Sequence, residues 1–273
     1  NSNMLKIGLT GSTGSLGKVI LRYNKKRKIK SFKDDITKRK KVFKWIKENN
    51  FDVLIHLAAI VPIKKVNKNK TKAKNVNFNG TKNIVDACLD SNVSWMFFSS
   101  TSHVYNSSKN KIAESHPTKP ISFYGNTKLQ AEKYIIKKFE KKKISYCIGR
   151  IFSTTNKDQK KGYLIPDLKK RIKKSKNKII LKNLNHFRDF ISMINISKII
   201  FSLLDKKYKG IINIASGKPL HLKNIAEIIL KKYNRKNYKY IDNRIETTLI
   251  GNISKLKKIT NFKIHDPVKK LIF

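Results

Sequence analysis

The chain alternates short apolar runs with longer segments in which apolar residues recur at helical spacing. The apolar runs are typical of buried strands and predict strands near residues 5–10, 28–32, 51–59, 94–99 and 144–151. The intervening segments predict helices near residues 18–23, 38–49, 75–91 and 124–142. Strands that alternate with helices in this way indicate an α/β fold with a doubly wound parallel sheet.

The first strand runs directly into a glycine-rich turn, where Gly11, Gly14 and Gly17 precede a helix. Gly11 permits a tight turn, Gly14 lets the backbone approach a pyrophosphate, and Gly17 lets the helix pack closely on the strand. The helix N-terminus would face the phosphates. The turn therefore predicts a Rossmann-type site for NAD or NADP. The residue after the second strand would decide between the two, but Lys33 and Asp34 are adjacent there, so the choice stays open.

The pattern is looser beyond Phe152. Helices are predicted near residues 163–174, 195–204 and 222–233 and from Ser254, and strands near residues 187–191, 210–215 and 238–241. We assign residues 1–152 and a returning segment, 187–215, to the dinucleotide-binding Rossmann domain. Residues 153–186 and 216–273 are expected to form a smaller C-terminal substrate-binding lobe, with the active site between the two.

The charge of the chain is strongly positive, with 63 basic and 17 acidic side chains and a net charge of +46. Such a surplus can indicate a nucleic-acid or membrane partner. Here lysine dominates over arginine and is spread along nearly every helix and loop, without a basic arm or an aromatic-interleaved stripe. A composition rich in Lys, Asn and Ile explains this better, so nucleic acid is not expected as the main partner.

Cysteine use and hydropathy exclude further classes. Cys88 and Cys147 lie in apolar surroundings without metal-ligand spacing, so we predict no metal site and expect reduced core thiols in a cytoplasmic protein. No segment approaches the apolar length of a membrane span, so no membrane partner is expected.

Candidate catalytic residues lie between Ser99 and Lys128. Tyr124 and Lys128 are four residues apart and would share one helix face. An ammonium that close is expected to lower the pKa of the tyrosine from about 10 towards neutrality, which suits a general acid/base. Thr101 ends a strand and could offer its hydroxyl to the same substrate oxygen. His56 also ends a strand, where we expect a packed, hydrogen-bonded histidine.

Taken in order, these motifs resemble those of the extended short-chain dehydrogenase/reductases, in particular the NAD-dependent epimerase/dehydratase family that acts on nucleotide sugars. The resemblance spans nearly the whole chain and rests on residues 10–17, 35–36, 56–59, 77–81, 99–101, 124–128 and 188–191. It implies Tyr124 as general acid/base, Lys128 as the residue that lowers its pKa and binds the nicotinamide ribose, and Thr101 as the residue that orients the reacting oxygen.

The resemblance also implies ligand contacts. Those to the cofactor would come from Gly11, Thr13, Gly14, Ser15, Leu16, Gly17, Asp35, Ile36, Leu57, Ala58, Ala59, Asn77, Ser99, Tyr124, Lys128 and Ile151. Those to a nucleotide-sugar substrate would come from His103, Ser153 and Arg188. An ion pair between Arg188 and Asp189 is the alternative for that arginine. Ser153 stands where family members often carry an Asn, which questions the usual contact to the substrate diphosphate.

The motifs leave the reaction partly open. Family dehydratases usually follow the threonine with two acids, whereas Ser102 and His103 stand here, so a dehydratase is disfavoured. An NAD(P)-dependent epimerase or 4-keto-sugar reductase is expected, with His103 a candidate second acid/base. The alternative is a non-catalytic, RNA-associated NAD(P)-binding member of the superfamily. Family members usually dimerise through the helices that match those of Asn77 and Tyr124, so a homodimer is considered too.

Overall fold

The computed structural model describes residues 4–59, 61, 63–142, 144–157, 159 and 161–273. Residues 1–3, with which the first predicted domain begins, lie outside the described residues. Its strands are β1 Lys6–Thr10, β2 Lys28–Ser31, β3 Val53–His56, β4 Trp95–Thr101, β5 Ser145–Ile151, β6 Ser153–Thr155, β7 Ile179–Lys182, β8 His186–Arg188, β9 Phe190–Ser192, β10 Gly210–Ile214, β11 Leu220–His221, β12 Tyr238–Ile241 and β13 Thr247–Leu249.

The helices complete the chain. They are α1 Ser15–Tyr23, α2 Arg39–Asn49, α3 Ile63–Lys68, α4 Lys70–Lys74, α5 Thr81–Leu89, α6 Phe123–Phe139, α7 Leu164–Lys174, α8 Met193–Asp205, α9 Leu222–Lys232, α10 Ser254–Thr260 and α11 Val268–Ile272. A π-helix, Asn75–Gly80, joins α4 to α5, and a short 3₁₀-helix, Ser102–Val104, follows β4. No helix among the described residues combines the length and apolarity needed to cross a membrane.

Six of the described strands form one parallel sheet in the order β10-β5-β4-β3-β1-β2. β1 lies between β2 and β3, and the chain passes from β2 over β1 to β3 through α2. The strand order therefore changes direction at β1 and β3, and a crevice at their carboxyl ends is where such folds bind ligands. The predicted doubly wound sheet is confirmed.

Both faces of this sheet are buried, as the continuous apolar runs predict. On one face, Leu9, Ile55 and Phe97 pack with apolar residues of α1 and α8. On the other, Leu54 and Phe98 pack with those of α2, α5 and α6. Neighbours along a strand thus point to opposite faces. Cys88 and Cys147 are buried and unpaired, as expected.

A second group of elements packs beside the carboxyl edge of the sheet. The pairs β7–β12 and β6–β9 and the three-stranded set β11-β8-β13 are small sheets. Helices α7, α9 and α11 and strand β7 form a separate hydrophobic core, which includes Ile172, Leu181 and Ile229. The strand predicted near residues 187–191 is wrong in one respect, because Asp189 separates two short strands, β8 and β9, that join different sheets.

Candidate active site

A cleft of about 1390 Å³ opens at the carboxyl ends of the central strands. One side is formed by the glycine-rich turn and the ends of β2 to β5, and the other by residues around β6, α7 and β8. The predicted site residues that line it are Gly11, Thr13, Gly14, Ser15, Leu16, Gly17, Asp35, Ile36, Leu57, Ala58, Ala59, Ser99, Thr101, His103, Tyr124, Lys128, Ile151, Ser153 and Arg188.

Asn77 is the one predicted site residue that does not line the cleft among the described residues. It is fully buried in the π-helix, where its backbone carbonyl oxygen accepts a hydrogen bond of 2.9 Å from the Thr81 hydroxyl. A direct cofactor contact by Asn77 therefore stays a prediction. The buried position agrees with a residue that supports the site from below.

The glycine-rich turn fits a dinucleotide. Gly11 has a φ of 77°, and a Cβ atom there would lie 2.7 Å from the Ala58 nitrogen, so the turn must cross the end of β3 without a side chain. Helix α1 begins at Ser15 with neither an acidic residue in its first turn nor a side-chain cap. Its first N–H groups adjoin the cleft and suit a pyrophosphate.

His56 fixes the strand end beneath this turn. Its Nδ1 lies 2.6 Å from the Thr10 hydroxyl and its Nε2 lies 2.8 Å from the Thr81 hydroxyl. Burial lowers the pKa of His56 to about 3, with a smaller contribution from Lys128, so the ring is neutral at physiological pH. The predicted packed, hydrogen-bonded histidine is confirmed.

Tyr124 lies in the first turn of α6 and shares a hydrogen bond with Thr101 at the end of β4. Burial raises the pKa of the Tyr124 hydroxyl above its ordinary value, Tyr163 adds to the rise, and the Thr101 bond opposes it. The predicted fall of this pKa towards neutrality is therefore wrong for this structure, because burial of the hydroxyl dominates. The hydroxyl is consequently a protonated donor at neutral pH.

Lys128 lies one helical turn further along α6 and is 2% exposed. Its ammonium is 4.4 Å from the centre of the Phe98 ring, a cation–π distance. Burial lowers the pKa of Lys128 to about 7, and the carboxylate of Glu132 opposes that shift. The lysine can therefore gain or lose a proton near neutrality.

Sequence reasoning missed a buried ion pair behind these residues. Glu132 Oε2 lies 2.7 Å from Arg150 Nη2, and both side chains are at most 4% exposed. Arg150 Nε also donates to Glu132 Oε1 at 3.1 Å, and the Ser100 hydroxyl donates to the same oxygen. Arg150 Nη1 donates to the Tyr105 hydroxyl at 2.9 Å. The spacing of Glu132, four residues after Lys128, could have indicated that its carboxylate acts on that lysine, but no spacing indicates its pairing with Arg150.

His103 follows Thr101 in the short 3₁₀-helix and packs edge-on against Tyr124, with ring centres 5.9 Å apart. Burial, with the charge of Arg188, lowers the pKa of His103 to about 4, so this histidine is neutral above about pH 5. Gly125 makes the approach possible, because a Cβ atom there would lie 2.2 Å from the His103 carbonyl oxygen. The His103 ring is thus packed against Tyr124 at the cleft.

Arg188 lies across the cleft at the end of β8. Its guanidinium donates to the Thr247 carbonyl at 3.0 Å and to the Thr247 hydroxyl at 2.8 Å. Asp189 points elsewhere and accepts hydrogen bonds from Ser216 and from the backbone of Gly217. The alternative of an Arg188–Asp189 ion pair is therefore wrong. The cleft also includes residues that were not singled out, Ser12, Gln159, Lys161 and Tyr163 among them.

The sequence pattern of the NAD dependent epimerase/dehydratase family matches residues 7–215. The chain belongs to the NAD-dependent epimerase/dehydratase family. The resemblance drawn from the motifs is confirmed. The predicted cofactor class, a nicotinamide dinucleotide, is confirmed as well, because the family is NAD-dependent. Homologues of the chain include NAD-dependent sugar epimerases and dehydratases, which supports an enzyme of this superfamily.

Several curated proteins resemble this family member along most of its length. A GDP-6-deoxy-D-talose 4-dehydrogenase from Aggregatibacter actinomycetemcomitans is 29% identical over 224 residues, which cover 78% of this chain and 75% of that protein. An uncharacterized UDP-glucose epimerase from Bacillus subtilis is 25% identical over 261 residues, which cover 89% of this chain and 81% of that protein.

Solved structures share the whole fold. RMD from Pseudomonas aeruginosa, complexed with NADPH, superposes with a TM-score of 0.90 at 18% identity, covering 98% of this chain and 96% of that one. UDP-glucose 4-epimerase from Thermus thermophilus, in complex with NAD, superposes with a TM-score of 0.88 at 16% identity, covering 98% of this chain and 97% of that one. At such identities the likeness shows the fold.

Proposed function

We propose that this family member is an NAD(P)-dependent nucleotide-sugar epimerase or 4-keto-sugar reductase. The observation that carries the proposal is the convergence of Thr101, Tyr124 and Lys128 on the cleft that the glycine-rich turn borders. Thr101 comes from β4, and the other two come from α6. A protein that only binds a dinucleotide has no need of all three side chains.

The side chains divide the work at the sugar. When bound, NAD(P) supplies hydride transfer to or from a sugar carbon. The Tyr124 hydroxyl, protonated at neutral pH, gives its proton to a carbonyl oxygen that is reduced. In the opposite direction, the Tyr124 phenolate takes the proton from a hydroxyl that is oxidised. Thr101 donates to the same oxygen and orients it. Lys128, when protonated, stabilises the phenolate that Tyr124 becomes after it gives its proton.

The opposite wall supports a nucleotide-sugar substrate. The guanidinium of Arg188 is held in place by Thr247 and borders the cleft, as Ser153 does. A fixed guanidinium suits a diphosphate because it presents several donors in one plane. The relatives named above as GDP- and UDP-sugar enzymes agree with this class of substrate.

The residues after Thr101 favour hydride and proton transfer over elimination of water. Ser102 and His103 occupy the place of the two acids that the resemblance associates with dehydratases. His103 is neutral above about pH 5 and packs against Tyr124, so it can accept or donate a hydrogen bond to the substrate. It carries no carboxylate that could take a proton from carbon.

The test is turnover of defined substrates by the purified protein. UDP-, GDP- and dTDP-sugars and their 4-keto forms would be supplied with NAD(H) or NADP(H), and products followed by chromatography and by cofactor absorbance. We expect turnover of at least one of them and a loss of about 10²–10⁴-fold in Tyr124→Phe. Absence of turnover with every substrate, or full activity of Tyr124→Phe, would refute the proposal.

A further inference from the structure

One end of the cleft is formed by the residues that follow β2. β2 lies beside β1, with Ser31 opposite Leu9, and the Phe32 N–H donates to the Leu9 carbonyl at 2.8 Å. Residues 31–36, together with Ser12 of the glycine-rich turn, therefore line the cleft next to that turn. We call this set the adenosine end, because dinucleotide folds place the adenosine ribose at the end of the second strand.

The acidic residues of the adenosine end are already engaged. The Asp34 carboxylate lies 2.6 Å from the Lys41 ammonium. The Asp35 carboxylate accepts from the Thr37 N–H at 2.9 Å and from the Thr37 hydroxyl at 2.8 Å. A carboxylate that selects NAD must be free to accept from the 2′-hydroxyl of the ribose. In each aspartate these contacts use Oδ1, so Oδ2 keeps its acceptor capacity, and the charge of Asp34 is offset by the ion pair with Lys41.

Cations surround the same place. Lys33 is exposed, borders the cleft, and has no acidic partner among the described contacts. Lys65 borders the cleft as well, and Lys38 and Lys72 are close enough to act on the Asp35 carboxylate. These ammonium groups favour a dianionic group over a neutral hydroxyl.

We infer that the adenosine end binds a 2′-phosphate and that the protein prefers NADP(H) to NAD(H), with Lys33 as the residue that sets the preference. The inference rests on the proposed function, since it presumes a dinucleotide in the cleft. Ser12 and Ser31, which carry hydroxyl groups, border the same cleft as Lys33. The ion pair with Lys41 offsets the Asp34 charge beside the phosphate.

The first experiment compares dissociation constants of NADPH and NADH by calorimetry on the full chain. We expect NADPH to bind at least about tenfold more tightly at low salt, with the ratio falling as salt rises. Lys33→Ala should remove most of that ratio and leave NADH binding unchanged. Lys47→Ala, an equal charge change on an exposed residue of α2 away from the cleft, should leave the ratio intact.

A second comparison separates a built site from general attraction to a protein of net charge +46. Adenosine 2′,5′-bisphosphate and adenosine 3′,5′-bisphosphate carry equal charge and differ in where one phosphate lies. The 2′ isomer should bind more tightly, and Lys33→Ala should equalise the two. Lys41→Ala, which releases Asp34, should weaken NADPH and strengthen NADH.

The possible failures are distinguishable. Equal or tighter binding of NADH, or a ratio unaffected by Lys33→Ala, overturns the NADP(H) preference and leaves the proposed function in place. Equal binding of the two bisphosphates also overturns it, because charge alone would then explain the affinity. Failure of both nicotinamide cofactors to bind overturns the proposed function itself.

Discussion

Each wall of the cleft contains a buried carboxylate, and the two carboxylates differ in their partners. On the sheet side, Glu132 is paired with a cation, since Arg150 contacts both of its oxygens at 2.7 and 3.1 Å. On the other side, Asp189 accepts from Ser216, Gly217 and Gly251 and has no cationic partner among the described contacts. Burial raises the pKa of Asp189, and these hydrogen bonds oppose the rise.

The difference shows what each wall must keep in place. Glu132 lies one turn from Lys128 on α6 and raises the pKa of that lysine, so its charge acts on a residue of the proposed chemistry. Asp189 instead ties the junction of β8 and β9 to the loops at Ser216 and Gly251, and so fixes the backbone that carries Arg188. On the first wall the carboxylate of Glu132 neutralises a buried cation, and on the second the carboxylate of Asp189 joins separate chain segments.

The largest expected effect is that of Glu132→Gln. Removal of the carboxylate leaves the buried Arg150 guanidinium without its counter-charge, which costs about 3–5 kcal/mol of the free energy of unfolding. Urea denaturation followed by circular dichroism measures it. Asp205→Asn is the matched control, because it removes an exposed ion pair with Arg27 and should cost no more than about 1 kcal/mol. Equal losses in the two variants would contradict the role of the buried pair.

Asp189→Asn should cost about 2 kcal/mol in the same assay, because the amide keeps one acceptor but turns an N–H₂ towards backbone N–H donors. Since this carboxylate positions Arg188, the remaining folded protein should also show a raised KM for the nucleotide sugar at nearly unchanged kcat. A fall in kcat with KM unchanged would show that Asp189 serves the chemistry and not the chain.

Lys128, on the sheet side of the cleft, should make the stability of the protein depend on pH. The folded-state pKa of Lys128, about 7, lies below its ordinary value of 10.5, so above pH 7 the unfolded chain binds more protons than the folded one. Stability should therefore rise with pH in this window, by at most about 1.4 kcal/mol per pH unit. The free energy of unfolding of wild type relative to Lys128→Met, measured by urea denaturation from about pH 6 to 9, should rise above pH 7. A flat difference would contradict a buried lysine of lowered pKa.

Features encoded locally could be predicted from the sequence. Gly11, Gly14 and Gly17 follow one strand directly, and Tyr124 and Lys128 are one helical turn apart. Sequence spacing alone therefore predicts that the members of each set lie close together in the fold. The strands of the central sheet were predicted within a few residues because their continuous apolar runs are buried on both faces.

Features that depend on distant residues could not be predicted. Arg150 meets Glu132 across 18 positions, and Asp189 reaches Gly251 across 62. The strands β7 and β13 were missed, and they are only four and three residues long. The pKa of Tyr124 was predicted in the wrong direction because spacing indicates a neighbouring charge but not the burial that outweighs it.

The most direct test of the central claim is the kcat of Tyr124→Phe beside that of Tyr134→Phe, once a substrate has been found. Both variants remove one phenolic hydroxyl from α6. The Tyr134 hydroxyl, however, donates to Asp86, and Tyr134 is not among the described residues that line the cleft. We expect a fall of about 10²–10⁴-fold for Tyr124→Phe and less than about threefold for Tyr134→Phe. Equal rates for the two variants would contradict the central claim.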